Sequence, residues 1–127
     1  MDSQATHRNL LAWQEAMTLV EIVYRDTARF PHEEMFGLKS QIRRAAVSIP
    51  SNIAEGSARG TTGELVQFLG FACGSLAELE TQLDLAVRLG YMRTDAASIE
   101  RSARVGMLVR TLRKSRRAAI TERSRTR

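Results

Sequence analysis

An apolar seam in the second half of the chain restricts its possible folds more than any other feature. Seven apolar side chains recur at alternating spacings of four and three residues, at Leu65, Leu69, Ala72, Leu76, Leu79, Leu83 and Ala86. This spacing is typical of a helix that packs lengthwise against other helices. Only two prolines are present, and helix-favouring Ala, Leu, Arg and Glu outnumber the β-branched and aromatic residues. The sequence therefore predicts an all-α fold.

Turn residues and apolar periodicity divide the chain into four helices. Pro31 ends the first helix, because the residue before a proline is pushed out of the helical region. Gly90 ends the third helix, and Thr94 or Asp95 is the expected cap of the fourth. The predicted helices span about residues 10–28, 38–58, 63–89 and 95–117.

Four helices with short connections favour an antiparallel, up-and-down four-helix bundle. The bundle is predicted to occupy residues 1–117 as a single domain. Arg116 interrupts the apolar side of the fourth helix, so the packed part is expected to end there, and residues 118–127 are predicted to form a basic tail that is frayed or disordered.

A proline lies inside the predicted second helix. Because the apolar stripe keeps its helical phase on both sides of Pro50, we expect one helix that bends there, at a cost of ~3 kcal/mol that packing offsets. Ser48, Ser51 and Asn52 can satisfy backbone groups freed by the proline. The alternative is two shorter helices, of which the second is capped by Ser51.

The first predicted helix is apolar over most of its circumference. Its polar side chains form one narrow stripe, Gln14, Thr18, Glu21, Arg25 and Arg29. An ordinary surface helix has a single apolar stripe instead. The sequence therefore indicates a central helix or a helix that also contacts another subunit, and it predicts self-association.

The positive charge is concentrated at the C-terminal end. Residues 1–100 carry a net charge of −4, whereas residues 101–127, here called the basic arm, carry +9. Such asymmetry indicates a polyanionic partner. The candidate nucleic-acid-binding residues are Arg110, Arg113, Lys114, Arg116 and Arg117 in the arm, with Arg43 and Arg44 as further candidates.

Arg110, Arg113, Lys114 and Arg117 fall at i, i+3, i+4 and i+7, so a continuous helix would present them along one stripe. The arm contains no aromatic residue, which favours phosphate contacts with little sequence preference. Arg43 and Arg44 are first interpreted as a solvated helix face, and an intersubunit salt bridge or a phosphate contact is the functional alternative.

No catalytic, metal-binding or cofactor-binding motif is recognisable. His32 begins "HEEMF", which lacks the second histidine of a zinc helix, and "GSARGTTG" lacks the ending of a phosphate-binding loop. Cys73 lies in an apolar run and is predicted to be a buried, inert thiol. The sequence shows neither an export signal nor a stretch long enough to span a membrane. We therefore expect a cytoplasmic protein that is not an enzyme.

Three segments of the chain are distinctive, namely "LLAWQEAMTLVEIVY", "FGLKSQIRRAAVSIPSNIAEGSAR" and "ELETQLDLAVRLGY", and the most specific string runs from Pro50 to Gly56. Together they resemble a known family, the 23S rRNA intervening-sequence proteins. The resemblance implies a left-handed four-helix bundle that assembles as a ring-like homopentamer. It also implies a relation to the accessory proteins of diversity-generating retroelements, which are basic and bind nucleic acid.

The leading functional prediction is a homo-oligomeric, non-enzymatic bundle that binds RNA or DNA through the basic arm. The alternative is a structural or protein-interaction scaffold in which the arm has no nucleic-acid role. An enzyme such as a nuclease ranks third, because no carboxylate cluster has metal-like spacing.

Overall fold

The computed structural model describes residues 6–126, which form four long helices and two short 3₁₀ turns. Residues 1–5 and 127 lie outside the described part, and with them part of the segment searched for an export signal and the last cation of the basic arm. No strand occurs among the residues described. The long helices are α1 (Leu11–Thr27), α2 (Leu38–Ala58), α3 (Thr62–Arg88) and α4 (Ala97–Arg125).

The four helices form the predicted antiparallel bundle. Each helix packs against its two neighbours in the order α1, α2, α3, α4 and back to α1, and short turns join consecutive helices. The α3 seam is buried from Leu69 to Ala86, while Leu65 is half-buried. The core thus consists of one inward stripe from each helix, as the periodicity predicts.

Helix α2 continues through Pro50, which is buried in its interior. The hydroxyls of Ser48 and Ser51 donate to the carbonyls of Ala45 and Val47 at 2.8 and 2.9 Å. The Asn52 amide donates to the Ser48 carbonyl at 2.8 Å. None of these three bonds reaches the carbonyl of Ala46, which is the group that Pro50 leaves without its helical partner, so the prediction that the three side chains satisfy it is wrong. The alternative of two separate helices is also wrong, because α2 is continuous. The bend at Pro50 stays a prediction.

Gly56 lies at a close contact between α2 and α3. A Cβ at this position would lie 2.7 Å from the Cβ of Phe68 and 3.3 Å from the Cα of Leu65. Gly74 on α3 is the opposite case, since a Cβ there would meet nothing within 4 Å. Gly56 and Gly74 therefore differ in role, because of these two glycines only Gly56 is required for packing.

Gly56→Ala is expected to destabilise the protein by about 1–2 kcal/mol, because the overpacking penalty exceeds the gain in helix propensity. Gly74→Ala is the matched control and should stabilise it by about 0.8–1 kcal/mol. Urea unfolding of both variants at one protein concentration measures the difference. Equal changes in the two variants would contradict a packing role for Gly56.

The start of α4 is held from a different helix, and the predicted cap is wrong. The N-cap residue is Ala96, which has no side-chain capping bond. Asp95 instead pairs with Arg93 at 3.0 Å, and this guanidinium lowers the pKa of the Asp95 carboxyl. Asp26 of α1 accepts from both the backbone nitrogen and the hydroxyl of Ser98, at 2.9 and 2.6 Å. The first turn of α4 is thus capped across the α1–α4 interface.

Glu34 fixes the connection between α1 and α2 in a similar way. One carboxylate oxygen accepts from the backbone nitrogen of Leu38 at 3.0 Å, and the other accepts from the Tyr91 hydroxyl at 3.0 Å. The bond to Glu34 raises the pKa of Tyr91. Glu34 therefore caps α2 and ties it to the turn after α3.

Helix α4 extends beyond its predicted end at residue 117 and runs to Arg125. Residues 118–125 are expected from the sequence to be frayed or disordered, but in the structure they are helical. No glycine or proline occurs between Met107 and Thr126, and Ala, Arg and Glu in this stretch favour helix without a buried face. Residues 118–125 are therefore a helical extension of the bundle.

Candidate nucleic-acid interface

Four of the predicted cations meet in one groove between α3 and α4. The groove has a volume of about 510 Å³ and is here called the basic groove. It is lined by Arg110, Arg113, Lys114, Arg117, Cys73, Ala118 and Thr121. Since none of these lining residues is acidic, the groove is strongly electropositive.

The Arg113 side chain packs against α3 at Gly70, where the absence of a side chain leaves room for the guanidinium. Its Nε donates to the Val66 carbonyl at 3.2 Å, and a Cβ at Gly70 would lie only 3.0 Å from its Nη2. Arg113 is half-buried as a result. The bond to Val66 fixes the guanidinium and leaves its two terminal nitrogens as donors for a ligand.

The other three cations of the groove are exposed. Arg110 lies back along its own helix, where a Cβ at Gly106 would come within 2.9 Å of its Nη1. Lys114 and Arg117 extend from the following turn. Since one helical turn rises 5.4 Å, the four charges form a row along α4 rather than a single cluster.

Arg116 does not belong to this row. It is half-buried and does not line the basic groove. Its position continues the inward stripe of α4 that contains Val105 and Val109, both fully buried. The sequence grouped Arg116 with the binding residues by charge alone, whereas helical geometry separates them.

Cys73 is less buried than predicted. The thiol is half-buried rather than buried, and it lines the basic groove. Gly70 and Cys73 lie three residues apart, and this spacing alone places them on one face of α3. Only the pairing of α3 with α4 shows that this face meets the arginines.

Arg43 and Arg44 lie at the other end of the bundle. Arg43 donates to the Thr27 hydroxyl at 2.9 Å and to the Tyr24 carbonyl at 3.0 Å. Its guanidinium stands 4.2 Å from the centre of the Tyr24 ring. Arg44 is exposed and also lines a polar cavity of about 370 Å³ with Glu78. The structure therefore does not combine these two arginines with the basic groove.

Two further arginines of the basic arm are engaged in holding α4 against α1. Arg101 and Arg104 approach the same carboxylate oxygen of Glu15 at 3.4 and 2.9 Å. These two charges are consequently partly neutralised within the bundle. The remaining cations of the arm lie from Arg110 onward, where the groove begins.

The described residues contain neither a candidate metal site nor a candidate membrane span. Between residues 6 and 126, no group of three or more His, Cys, Asp or Glu side chains is placed to hold a metal ion. No helix in that range is both long and apolar enough to cross a membrane.

These features define an antiparallel four-helix-bundle protein with an electropositive groove beside its last helix. The family described as 23S rRNA-intervening sequence protein matches residues 8–111. The chain belongs to this family. The match includes Arg110 but ends before Arg113, Lys114 and Arg117, so most of the groove's charge lies beyond the matched region. A search of curated proteins gave no match.

Proposed function

We propose that this protein is a non-enzymatic, homo-oligomeric bundle that binds RNA or DNA phosphates through the basic groove. The observation that supports this most directly is the meeting of four cations in one groove without an acid among its lining residues. Membership of a family described as 23S rRNA-intervening sequence protein is a second, weaker support for a link to RNA.

The chemistry of the groove suits phosphate oxygens. Arginine presents several donors in a planar fork, and lysine presents a compact charge, so the two together match a row of phosphates. No aromatic side chain lines the groove, and bases therefore have no ring to stack on there. Binding through this groove depends on the strand's backbone and has little sequence preference.

Fluorescence anisotropy with a labelled single-stranded RNA tests the binding. If the groove engages about four phosphates, log K should fall with log salt at a slope of roughly −3, which is about −0.7 for each phosphate on a single strand. The same titration with a DNA strand compares the two nucleic acids. Absence of binding at low salt would contradict the proposal and favour a scaffold that contacts proteins.

Self-association is supported by apolar side chains that one bundle leaves uncovered. On α1, Leu11 and Met17 are 51% and 43% exposed, and α3 exposes Leu85 to a similar extent. Residues of this kind on two different helices are typical of subunit contacts.

Light scattering on the purified protein is expected to give a closed oligomer, and the family resemblance favours five subunits. A ring would repeat the basic groove around its axis and so increase the affinity for a long strand. A protein that remains monomeric at micromolar concentration would contradict this part of the proposal.

A further inference from the structure

A second surface of the bundle combines exposed aromatic rings with cations. Phe36, in the turn before α2, is 91% exposed, and Tyr24 is 43% exposed. A cavity of about 460 Å³ beside them is lined by Tyr24, Met35, Phe36, Lys39, Ser40, Arg43 and Arg44. These seven residues are here called the aromatic–cationic surface. It lies at the end of the bundle where α4 begins, whereas the basic groove lies towards the end where α4 stops.

One wall of this surface is already ordered. Arg43 is held by the Thr27 hydroxyl and the Tyr24 carbonyl, and it covers one face of the Tyr24 ring. A ligand that enters the cavity therefore does not have to order these two side chains, which lowers the entropic cost of binding. Phe36, by contrast, offers a ring face with no described packing partner.

The charge near the cavity is positive. Lys39, Arg43 and Arg44 contribute three cations. Of the two acids on the neighbouring turn, Glu34 is engaged by Leu38 and Tyr91, and Glu33 is exposed. The surface thus offers an aromatic ring for a flat, uncharged group and cations for an adjacent anion.

We propose that the aromatic–cationic surface binds an unpaired nucleotide of a single-stranded RNA or DNA. The base stacks on Phe36, and Lys39 and Arg44 contact its phosphates. The inference rests on the proposed nucleic-acid function and extends it, because the basic groove contacts the backbone alone whereas this surface requires a base. Stacking on an aromatic side chain combined with a positive groove is the usual chemistry of single-strand binding.

A second copy of the chain fits the same surface less well. An apolar partner patch placed over Phe36 would take Lys39 and Arg44 out of water without supplying counter-charges. Phosphates supply those counter-charges beside the base, so charge complementarity favours the nucleotide.

Competition against the labelled single-stranded RNA, with unlabelled competitor strands of about twelve nucleotides, tests the proposal with the full-length protein. The competitors are a base-bearing RNA strand, an abasic strand with the same number of phosphates, and free AMP. The wild-type protein should prefer the base-bearing single strand over the abasic strand by about five- to 150-fold, the range expected for one stacked base. Phe36→Leu should remove this preference, whereas Phe71→Leu, a change at another half-exposed ring on α3, should retain it.

The outcomes separate this inference from the proposed function. Equal binding of abasic and base-bearing strands would overturn stacking at Phe36 while leaving phosphate binding by the groove intact. Displacement of the strand by an equal nucleotide concentration of free AMP would overturn the assignment to a strand. A change of oligomer mass in Phe36→Leu would show that the surface joins two copies and would also overturn it. Absence of binding to every strand would overturn both proposals.

Discussion

Replacing Arg110, Arg113, Lys114 and Arg117 together with glutamine is expected to weaken single-stranded RNA binding by about 10²–10³-fold near 0.1 M salt. Each lost phosphate contact removes about 0.7 from the slope of log K against log salt, so the slope should flatten by roughly 3. The fold should be retained, because three of the four side chains are exposed. Fluorescence anisotropy at several salt concentrations measures both quantities.

A control of equal charge is available elsewhere on the bundle. Changing Arg8, Arg25, Arg29 and Arg88, all exposed, to glutamine removes the same net charge. If the groove is the site, this control should lower affinity far less than the groove variant. Equal losses in the two variants would mean that net charge alone governs binding and that the groove has no special role. Circular dichroism and light scattering on both variants exclude unfolding or dissociation as the cause.

The bundle could be predicted from the sequence because its determinants are local or periodic. The α3 seam identifies an inward face by spacing alone, and Gly90 adopts the positive φ of 80° that a helix-ending glycine permits. The continuity of α2 could be predicted in the same way, since the apolar phase is kept across Pro50. Such patterns need no knowledge of which helix lies beside which.

The site could be predicted only in part, because its geometry depends on helix pairing. The row from Arg110 to Arg117 follows from spacing within one helix. The position of the Arg113 guanidinium, in contrast, depends on Gly70 and on the Val66 carbonyl, both of which belong to α3. Likewise, the cation stack of Arg43 on Tyr24 joins residues that are distant in sequence. Contacts of this kind are invisible to periodicity.

The cap of α4 is the clearest case in which a tertiary contact replaced a local one. Thr94 and Asp95 precede the helix and have the residue types of a cap, yet Asp95 pairs with Arg93 on the surface. Asp26, which is 72 residues from Ser98 in sequence, provides the acceptor instead. The local pattern indicates that a cap is needed but not which residue supplies it.

Asp26→Ala is expected to destabilise the protein by about 3 kcal/mol. Ser98 is fully buried, so the change would leave its backbone N–H and its hydroxyl without their shared acceptor, and bonds to a charged group contribute about 1.5–3 kcal/mol each. For a chain of this length the loss corresponds to a melting temperature lower by roughly 10 °C. Differential scanning calorimetry at one fixed protein concentration measures it.

Asp95→Ala is the matched control, since it removes a carboxylate of the same type from a solvent-exposed pair near the same helix start. Its melting temperature should stay close to that of the wild type, because exposed ion pairs contribute little to stability. Asp26→Asn should fall between the two variants, because an amide oxygen can still accept a hydrogen bond but carries no charge. If Asp95→Ala destabilised the protein more than Asp26→Ala, the cap of α4 would be local after all. The bonds from Asp26 to Ser98 would then accompany the packing of α1 against α4 without stabilising the start of α4.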